Sequence, residues 1–332
     1  MPGARRAGRI DVIPLFVGLV VTAALAPFVR HVMQMVGILD IPNHRSSHTA
    51  PIPRGGGLAC LGGVLVALAV AQLQGHHVPW VAVLAVVLLA VVGFADDRVG
   101  LAAAPRLAAQ LVSGLIAGAV IGGVYLALTA AIVVPAVVNV VNFMDGINGI
   151  TSLIVICWGM TALLVGHAHG LDPLSVVGAV SAGSALGFLP WNTPIAKLFL
   201  GDVGSYLFGG LVAVGLLLGW IGGVRTAVLI APLALYLADT GTVLIKRGLK
   251  GDSLLKAHRE HVYQRLISDA GLSHVAVAVA VAVISMGITA AVAFAAMPIA
   301  SSISAVAIVS YLFSVPIVKA LRNRSPAAGK AI

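Results

Sequence analysis

Acidic side chains at the edge of an apolar run are costly, and three such places in this chain could do chemistry. Asp96-Asp97 closes the run that ends Val-Gly-Phe-Ala. A helix C-terminus disfavours negative charge, and neighbouring carboxylates repel. As a mere boundary paired with Arg98, the two acids are electrostatically poor; as a pair holding Mg²⁺ or positioning a phosphate, both are used. Asn139-Val-Val-Asn142-Phe-Met-Asp145-Gly146-Ile-Asn148-Gly149 crowds three amides and an acid into one segment. Such a cluster can read a nucleobase or sugar by hydrogen bonds; alternatively Asp145 only caps the next helix, with the glycines making the turn. Lys197-Leu-Phe199-Leu-Gly201-Asp202-Val-Gly204-Ser205 opens a further apolar run. Its glycines let backbone N–H groups approach a phosphate at a positive helix end. Asp202 could hold a metal or cap the helix, Lys197 could hold a second phosphate, and Phe199 could stack on a base or face lipid.

Two polar segments add cations. Asp40-Ile-Pro42-Asn-His44-Arg45-Ser-Ser-His48-Thr-Ala-Pro51-Ile-Pro53-Arg54 precedes three glycines. Prolines favour an extended backbone, and Arg45, His48 and Arg54 suit a phosphorylated ligand. His258-Arg259-Glu260-His261-Val-Tyr263-Gln264-Arg265 lies in the one substantial hydrophilic loop. On a helix, 258, 261 and 265 share a face, either a cationic stripe for a ligand or a solvated helix on anionic lipid. Two histidines without a convergent cysteine are too few for zinc. Asp239 and Lys246, seven apart, read as an ion pair or a helix-end anchor.

The elements that must carry these residues are membrane spans. The chain is 60% hydrophobic and 9% charged, against about 25% charged in a soluble domain, so its solvent is lipid. The expected fold is all-α, a single membrane domain over residues 1–332. About eleven spans of roughly 20 residues are expected, near 12–36, 56–74, 78–95, 105–122, 124–141, 150–168, 174–190, 204–220, 224–241, 272–296 and 298–318. Segments 37–55, 96–104, 142–149, 191–203 and 242–271 then share one face with the C-terminal tail, and almost every acid named above lies there. Lys and Arg also prefer that face, which makes it cytoplasmic, with the N-terminus outside and the C-terminus inside; Arg5, Arg6 and Arg9 run against this and are outvoted. The apolar run of 12–36 continues past Ala24-Leu25-Ala26, so a cleaved leader is not expected. Cys60 and Cys157 lie in apolar runs and make neither a disulfide framework nor a metal site. The formal charge of +9 sits between spans, which suits anionic lipid heads and substrates and speaks against nucleic acid.

In this order, the motifs D-x-P-x-x-R-x-S-H-x-x-P-x-P-R-G-G-G, G-F-A-D-D, N-V-V-N-F-M-D-G-I-N-G, K-L-F-L-G-D-V-G-S and H-R-E-H-V-Y-Q-R, spread over residues 37–265, resemble the polyprenyl-phosphate N-acetylhexosamine-1-phosphate transferases. These enzymes start peptidoglycan, teichoic-acid and O-antigen lipid intermediates in the bacterial inner membrane. The resemblance implies that Asp202 holds Mg²⁺ (Mn²⁺ as an alternative), with Asp96 and Asp97 near the metal and the lipid phosphate. It places Asn142 and Asp145 at the nucleotide, Phe199 beside uracil, and His258 and His261, flanking Arg259, on substrate phosphate. Two departures stand out. Many members carry a second aspartate where this chain has Asn148. Tyr263 and Gln264 replace further histidines, a variant most like O-antigen starters that use UDP-N-acetyl-6-deoxyhexosamines.

The implied reaction joins undecaprenyl phosphate to a UDP-N-acetylaminosugar, UDP-GlcNAc or a 6-deoxy relative, and releases UMP from a cleft on the cytoplasmic face. A phosphate monoester is largely dianionic at pH 7, so direct attack needs no strong base, while a covalent aspartyl route stays open. A homodimer is compatible with this reading. A secondary transporter would also have many spans and rare acids, but its site lies near the bilayer midplane between repeated halves, whereas these acids lie at span ends in a chain without visible repeats.

Overall fold

The computed structural model describes residues 10–42, 50–251 and 260–324, with side chains to residue 322. The chain starts with α1 (Ile13–Met35) and a two-stranded antiparallel ribbon, β1 (Leu39–Asp40) with β2 (Ile52–Pro53). Then come α2 (Gly57–Leu73), α3 (Trp80–Val99), α4 (Ala103–Met144), α5 (Ile150–Ala168), α6 (Asp172–Asn192) and α7 (Gly201–Ile221). A broken segment follows: α8 (Thr226–Ile230), a 3-10 turn (Ala231–Leu233) and α9 (Ala234–Lys250). The last part comprises α10 (Val262–Ser268), α11 (His274–Phe294), α12 (Met297–Leu312) and α13 (Ser314–Arg324). This is a multi-pass helical bundle, because in lipid only intrahelical bonding satisfies every backbone group.

Among the described residues, eight helical segments, with α8 to α9 counted as one, are long and apolar enough to cross a membrane, or nine if the bent α12–α13 pair is one span. The expected number of eleven therefore does not follow from length and apolarity, and the difference lies in two elements. α2 has only 17 residues. α4 has 42 residues in one count, roughly 63 Å at 1.5 Å per residue, twice a bilayer core of roughly 30 Å. It cannot be one straight span. Its φ/ψ values leave the helical region at Gly122 and Gly123, and the two halves fold onto each other. A Cβ at Gly114 would sit 2.4 Å from the Ala130 carbonyl oxygen, and one at Gly118 2.5 Å from that of Leu126. Rising numbers on one half meet falling numbers on the other, so α4 is an antiparallel hairpin closed on small residues, as lipid-embedded helices pack. Asn139 donates across the hairpin to Gln110 (2.7 Å) and to the Pro135 carbonyl (2.8 Å). It staples the two arms of α4.

α7 is the central helix: 83% of its apolar window is buried, against 33% for α1. α3 and α4 pack along it. At its N-terminus the neighbours come to backbone contact. A Cβ at Gly57 would lie 2.2 Å from the Gly204 amide nitrogen, and one at Gly93 2.3 Å from the Asp202 carbonyl oxygen. The glycines thus let α2, α3 and α7 converge on one point, and the acids of α3 and α7 meet there. The other face carries a separate polar knot. His76 lies between Asp11 (2.8 Å) and Asp172 (2.6 Å), and Asp172 also accepts from the His77 amide.

Candidate active site

The start of α7 is built from four segments. The β2 end is clasped to it by backbone bonds: Phe199 donates to the Pro53 carbonyl (2.9 Å), and Gly56 and Gly57 donate to the carbonyls of Phe199 and Leu200 (2.8 Å each). Gly201 enters the helix at φ 75°, a left-handed conformation open to glycine; its place beside the Asp97 carboxylate would also exclude a Cβ, at 2.5 Å. Asp97 then accepts from the backbone N–H groups of Asp202 (3.0 Å) and Val203 (3.1 Å). It is the anion at the positive end of α7, supplied from another helix, because Leu200 at the cap position has no side chain that can serve.

Asp96 turns elsewhere. It accepts from the Leu101 amide (2.7 Å) and from Arg106 at the start of α4 (2.9 Å). The adjacent acids, read from sequence as one pair with Arg98 as partner, are thus separated in role, and Arg106 is the ion-pair partner. Asp202 lies against both: it is within hydrogen-bonding reach of Asp96 and feels the charge of Asp97. Its amide partner is Asn142, which donates to Asp202 (2.7 Å) and to Ser205 (3.0 Å).

Asp145 stands just beyond α4, close enough to feel Asp97 and Arg54. Burial pushes its carboxyl up to about 7; the charge of Asp97 adds to this, while the Thr151 hydroxyl and Arg54 oppose it. Arg54 itself lies 3.9 Å from Asp40. Asp145 does not cap α5, whose cap position is Gly149. Asn148 donates to the Pro194 carbonyl (3.2 Å), a bond an aspartate could not donate, so the departure noted in the sequence has a structural use here. Lys197 is exposed, with its ammonium 6.0 Å over the Trp191 ring, and Phe199 is half-buried.

Arg45, His48, His258 and Arg259 lie outside the described residues. Residue 258 of the expected helical face lies outside the described residues, and His261 is extended just before α10, which begins at Val262, so it stands outside that helix. His261 instead turns inward, buried, onto Asp239 (3.1 Å). Asp239 is wholly buried and accepts as well from the Val262 and Tyr263 amides and the Tyr311 hydroxyl (2.8 Å). It caps α10 and holds His261; the expected pairing with Lys246 is not made. Tyr263 is buried and donates to the Phe143 carbonyl (3.0 Å), which ties this knot to the segment of Asn142 and Asp145.

Three contributors escaped the sequence reading. Asn192 accepts from the Gly149 amide and donates to the Leu198 carbonyl, bracing two site segments at once. Arg106, which pairs with Asp96, and Ser205, which accepts from Asn142, are the other two. The sequence marks all three only as polar residues at or near span ends and reveals none of their partners.

Asp96, Asp97, Asp145 and Asp202 lie within electrostatic reach of one another, with Arg54, Arg106 and amide donors around them. Such an arrangement can hold a divalent cation and a phosphorylated ligand at a helix N-terminus. Residues 79–219 match the model of glycosyl transferase family 4. The decaprenyl-phosphate N-acetylglucosaminephosphotransferase of Mycobacterium leprae is 30% identical, over 70% of each chain. That of Mycobacterium tuberculosis (strain H37Rv) is 28% identical, over 74% of this chain and 72% of its own. A probable undecaprenyl-phosphate N-acetylglucosaminyl 1-phosphate transferase of Bacillus subtilis is 24% identical, over 79% and 78%.

Proposed function

We propose, from the premise that this chain belongs to glycosyl transferase family 4, that it transfers N-acetylglucosamine 1-phosphate from UDP-GlcNAc to decaprenyl or undecaprenyl phosphate. The reaction would take place at the acids in front of α7, on the cytoplasmic face of a bacterial inner membrane. The observation that carries this reading is the meeting of Asp202 with Asp96, Asp97 and Asn142 at one helix N-terminus. On this reading that helix end lies at the edge of the bilayer, where a lipid phosphate can meet a soluble nucleotide. N-acetylglucosamine is preferred over a 6-deoxy sugar for two reasons: the relatives are named for it, and Tyr263 is spent on a buried bond to Phe143.

The lipid phosphate oxygen bonds to the sugar-bearing β-phosphorus. The bond from that phosphorus to the bridging oxygen breaks, and UMP leaves with the electron pair. Among the described residues no three His, Cys, Asp or Glu side chains form a ready metal cage. Mg²⁺ is commonly held by one or two carboxylates, with phosphate oxygens and water completing its shell. Asp202 with Asp96 fits that habit, since two carboxylates in mutual reach need a positive charge between them; Mn²⁺ would suit the same oxygens. Bound there, the cation would offset pyrophosphate charge. Asp97 keeps the α7 amides and Asp202 in place. Asn142 orients the Asp202 carboxylate, and Asp239 fixes His261 and Tyr263 behind the segment of Asn142 and Asp145. Asp145, Phe199 and Lys197 line the nucleotide side, and Arg54 meets phosphate.

The test is a detergent-solubilised assay with Mg²⁺, undecaprenyl phosphate and a panel of UDP-N-acetylaminosugars, scored for UMP. UMP released only with UDP-GlcNAc, lipid and metal together is the expected result. Folded protein that releases none with any donor would overturn the reading.

A further inference from the structure

α12 and α13 meet at a 57° bend, and the bend opens a cavity of about 320 Å³ against α9 and α10. Three cations from three separate elements line it: Lys246 of α9, Arg265 of α10 and Lys319 of α13. One acid, Asp269, joins them, and its Oδ2 is 3.1 Å from the Arg265 Nε. Asp269 is held below its ordinary value by the Ser268 hydroxyl first, then by Arg265 and Lys319. Pairing Asp269 with Arg265 leaves the positive charge of Lys246 and Lys319, both exposed. The apolar wall includes Phe313 and Pro316. Phe313 continues a row of exposed apolar residues, Ile303, Val306, Val309 and then Ile317, spaced to run along one side of the bent pair.

Lysines at span ends often reach for the membrane surface with no fixed partner. Here, however, the cations converge on a recess instead of spreading around a rim, and the recess opens onto an apolar track. A free phosphate would use the cations but not the track; a zwitterionic lipid would use the track but bring its own cation. The chemistry that uses both is a phosphate diester with a net negative charge and acyl chains. We infer that this cavity binds the headgroup of an anionic phospholipid, with the phosphate between Lys246 and Lys319 and an acyl chain along Phe313 and Val309. None of its lining residues has a role in the proposed reaction, and its test needs no nucleotide sugar, so it stands or falls apart from that reaction.

Native mass spectrometry of the full chain, delipidated and then given phosphatidylglycerol or phosphatidylcholine, reads the site directly. Wild-type protein should retain phosphatidylglycerol in preference. The double variant Lys246→Ala/Lys319→Ala should lose that preference by about ten-fold or more, since each cation near an anionic surface adds about a factor of five. Lys246→Arg/Lys319→Arg should keep it. Equal retention of both lipids, or an unchanged preference in the alanine variant with an unchanged melting temperature, overturns the proposal. Displacement by millimolar inorganic phosphate would mark a free-phosphate site, and displacement by equimolar undecaprenyl phosphate a station for that lipid; either also overturns it.

Discussion

Two polar knots hold carboxylates at opposite ends of the bundle, and they are built differently. On one face Asp11 and Asp172 share His76, and Asp172 takes a backbone amide as well. Burial alone would lower the His76 pKa, but the bonds to the two acids and their charges outweigh it and hold it above the ordinary value. That knot is closed: it ties the chain before α1 to the α2–α3 and α5–α6 turns. On the other face Asp96, Asp97, Asp145 and Asp202 crowd together, and Asp202 meets an amide and other acids. The contrast shows how to tell a structural acid from a working one in a membrane protein. Intramembrane and membrane-edge acids are costly; Asp11 and Asp172 are offset by the histidine between them, whereas Asp202 meets an amide and two other acids, the arrangement that the proposed ligand charge would relieve.

The sharpest way to break this comparison is Asp202→Asn. It should cut kcat by about a thousand-fold, the order seen when a preorganised electrostatic group is removed, and leave the melting temperature near wild type. Activity close to wild type would remove Asp202 from the metal role. Next is Asp239→Asn, which lies behind the site and acts through His261. Outer partners of reacting groups are typically worth 10–100-fold, so kcat/KM for the nucleotide sugar should fall by about that factor. An effect on melting temperature alone would make Asp239 purely structural.

A smaller effect separates the two faces by pH. The folded Asp145 binds its proton up to about 7 rather than 3.8, so between those values the native state holds more protons than the unfolded one. Its contribution therefore falls as pH rises through that window. Ligand-free Asp145→Asn protein should show a flatter fall in melting temperature from about pH 4 to about pH 7, and an unchanged slope would contradict the burial of this acid. His76 has the same sense in a higher pH window. Its contribution is full below the ordinary histidine value and is lost as pH rises through the raised folded one. His76→Ala should cost less than about 1 kcal/mol, as partly exposed ion pairs do, and leave UMP release unchanged. A large loss of activity would mean that the closed knot is not merely structural.

Much of this was legible in one dimension because membranes make sequence unusually informative. Apolar runs must become helices in lipid, so the spans could be placed, even the turn of the α4 hairpin at Gly122-Gly123. Acids at span ends pointed to one face, and the structure brings Asp96, Asp97, Asp145 and Asp202 together there. Side-chain roles were less legible. Asp96 and Asp97, adjacent in the chain, take opposite directions. Asp239, paired on paper with Lys246 by two helical turns, is claimed by His261 and Tyr311. Asn192 looked like nothing and braces two segments.

What the residues alone determined here was the solvent, the helical secondary structure and which acids are candidates for chemistry, since each rests on local cost: burying a peptide group, or placing charge at the edge of lipid. What required the folded chain was the partner of every acid. Partners are chosen by close approach between distant segments, and that approach depends on where Gly57, Gly93 and Gly204 let three helix backbones touch.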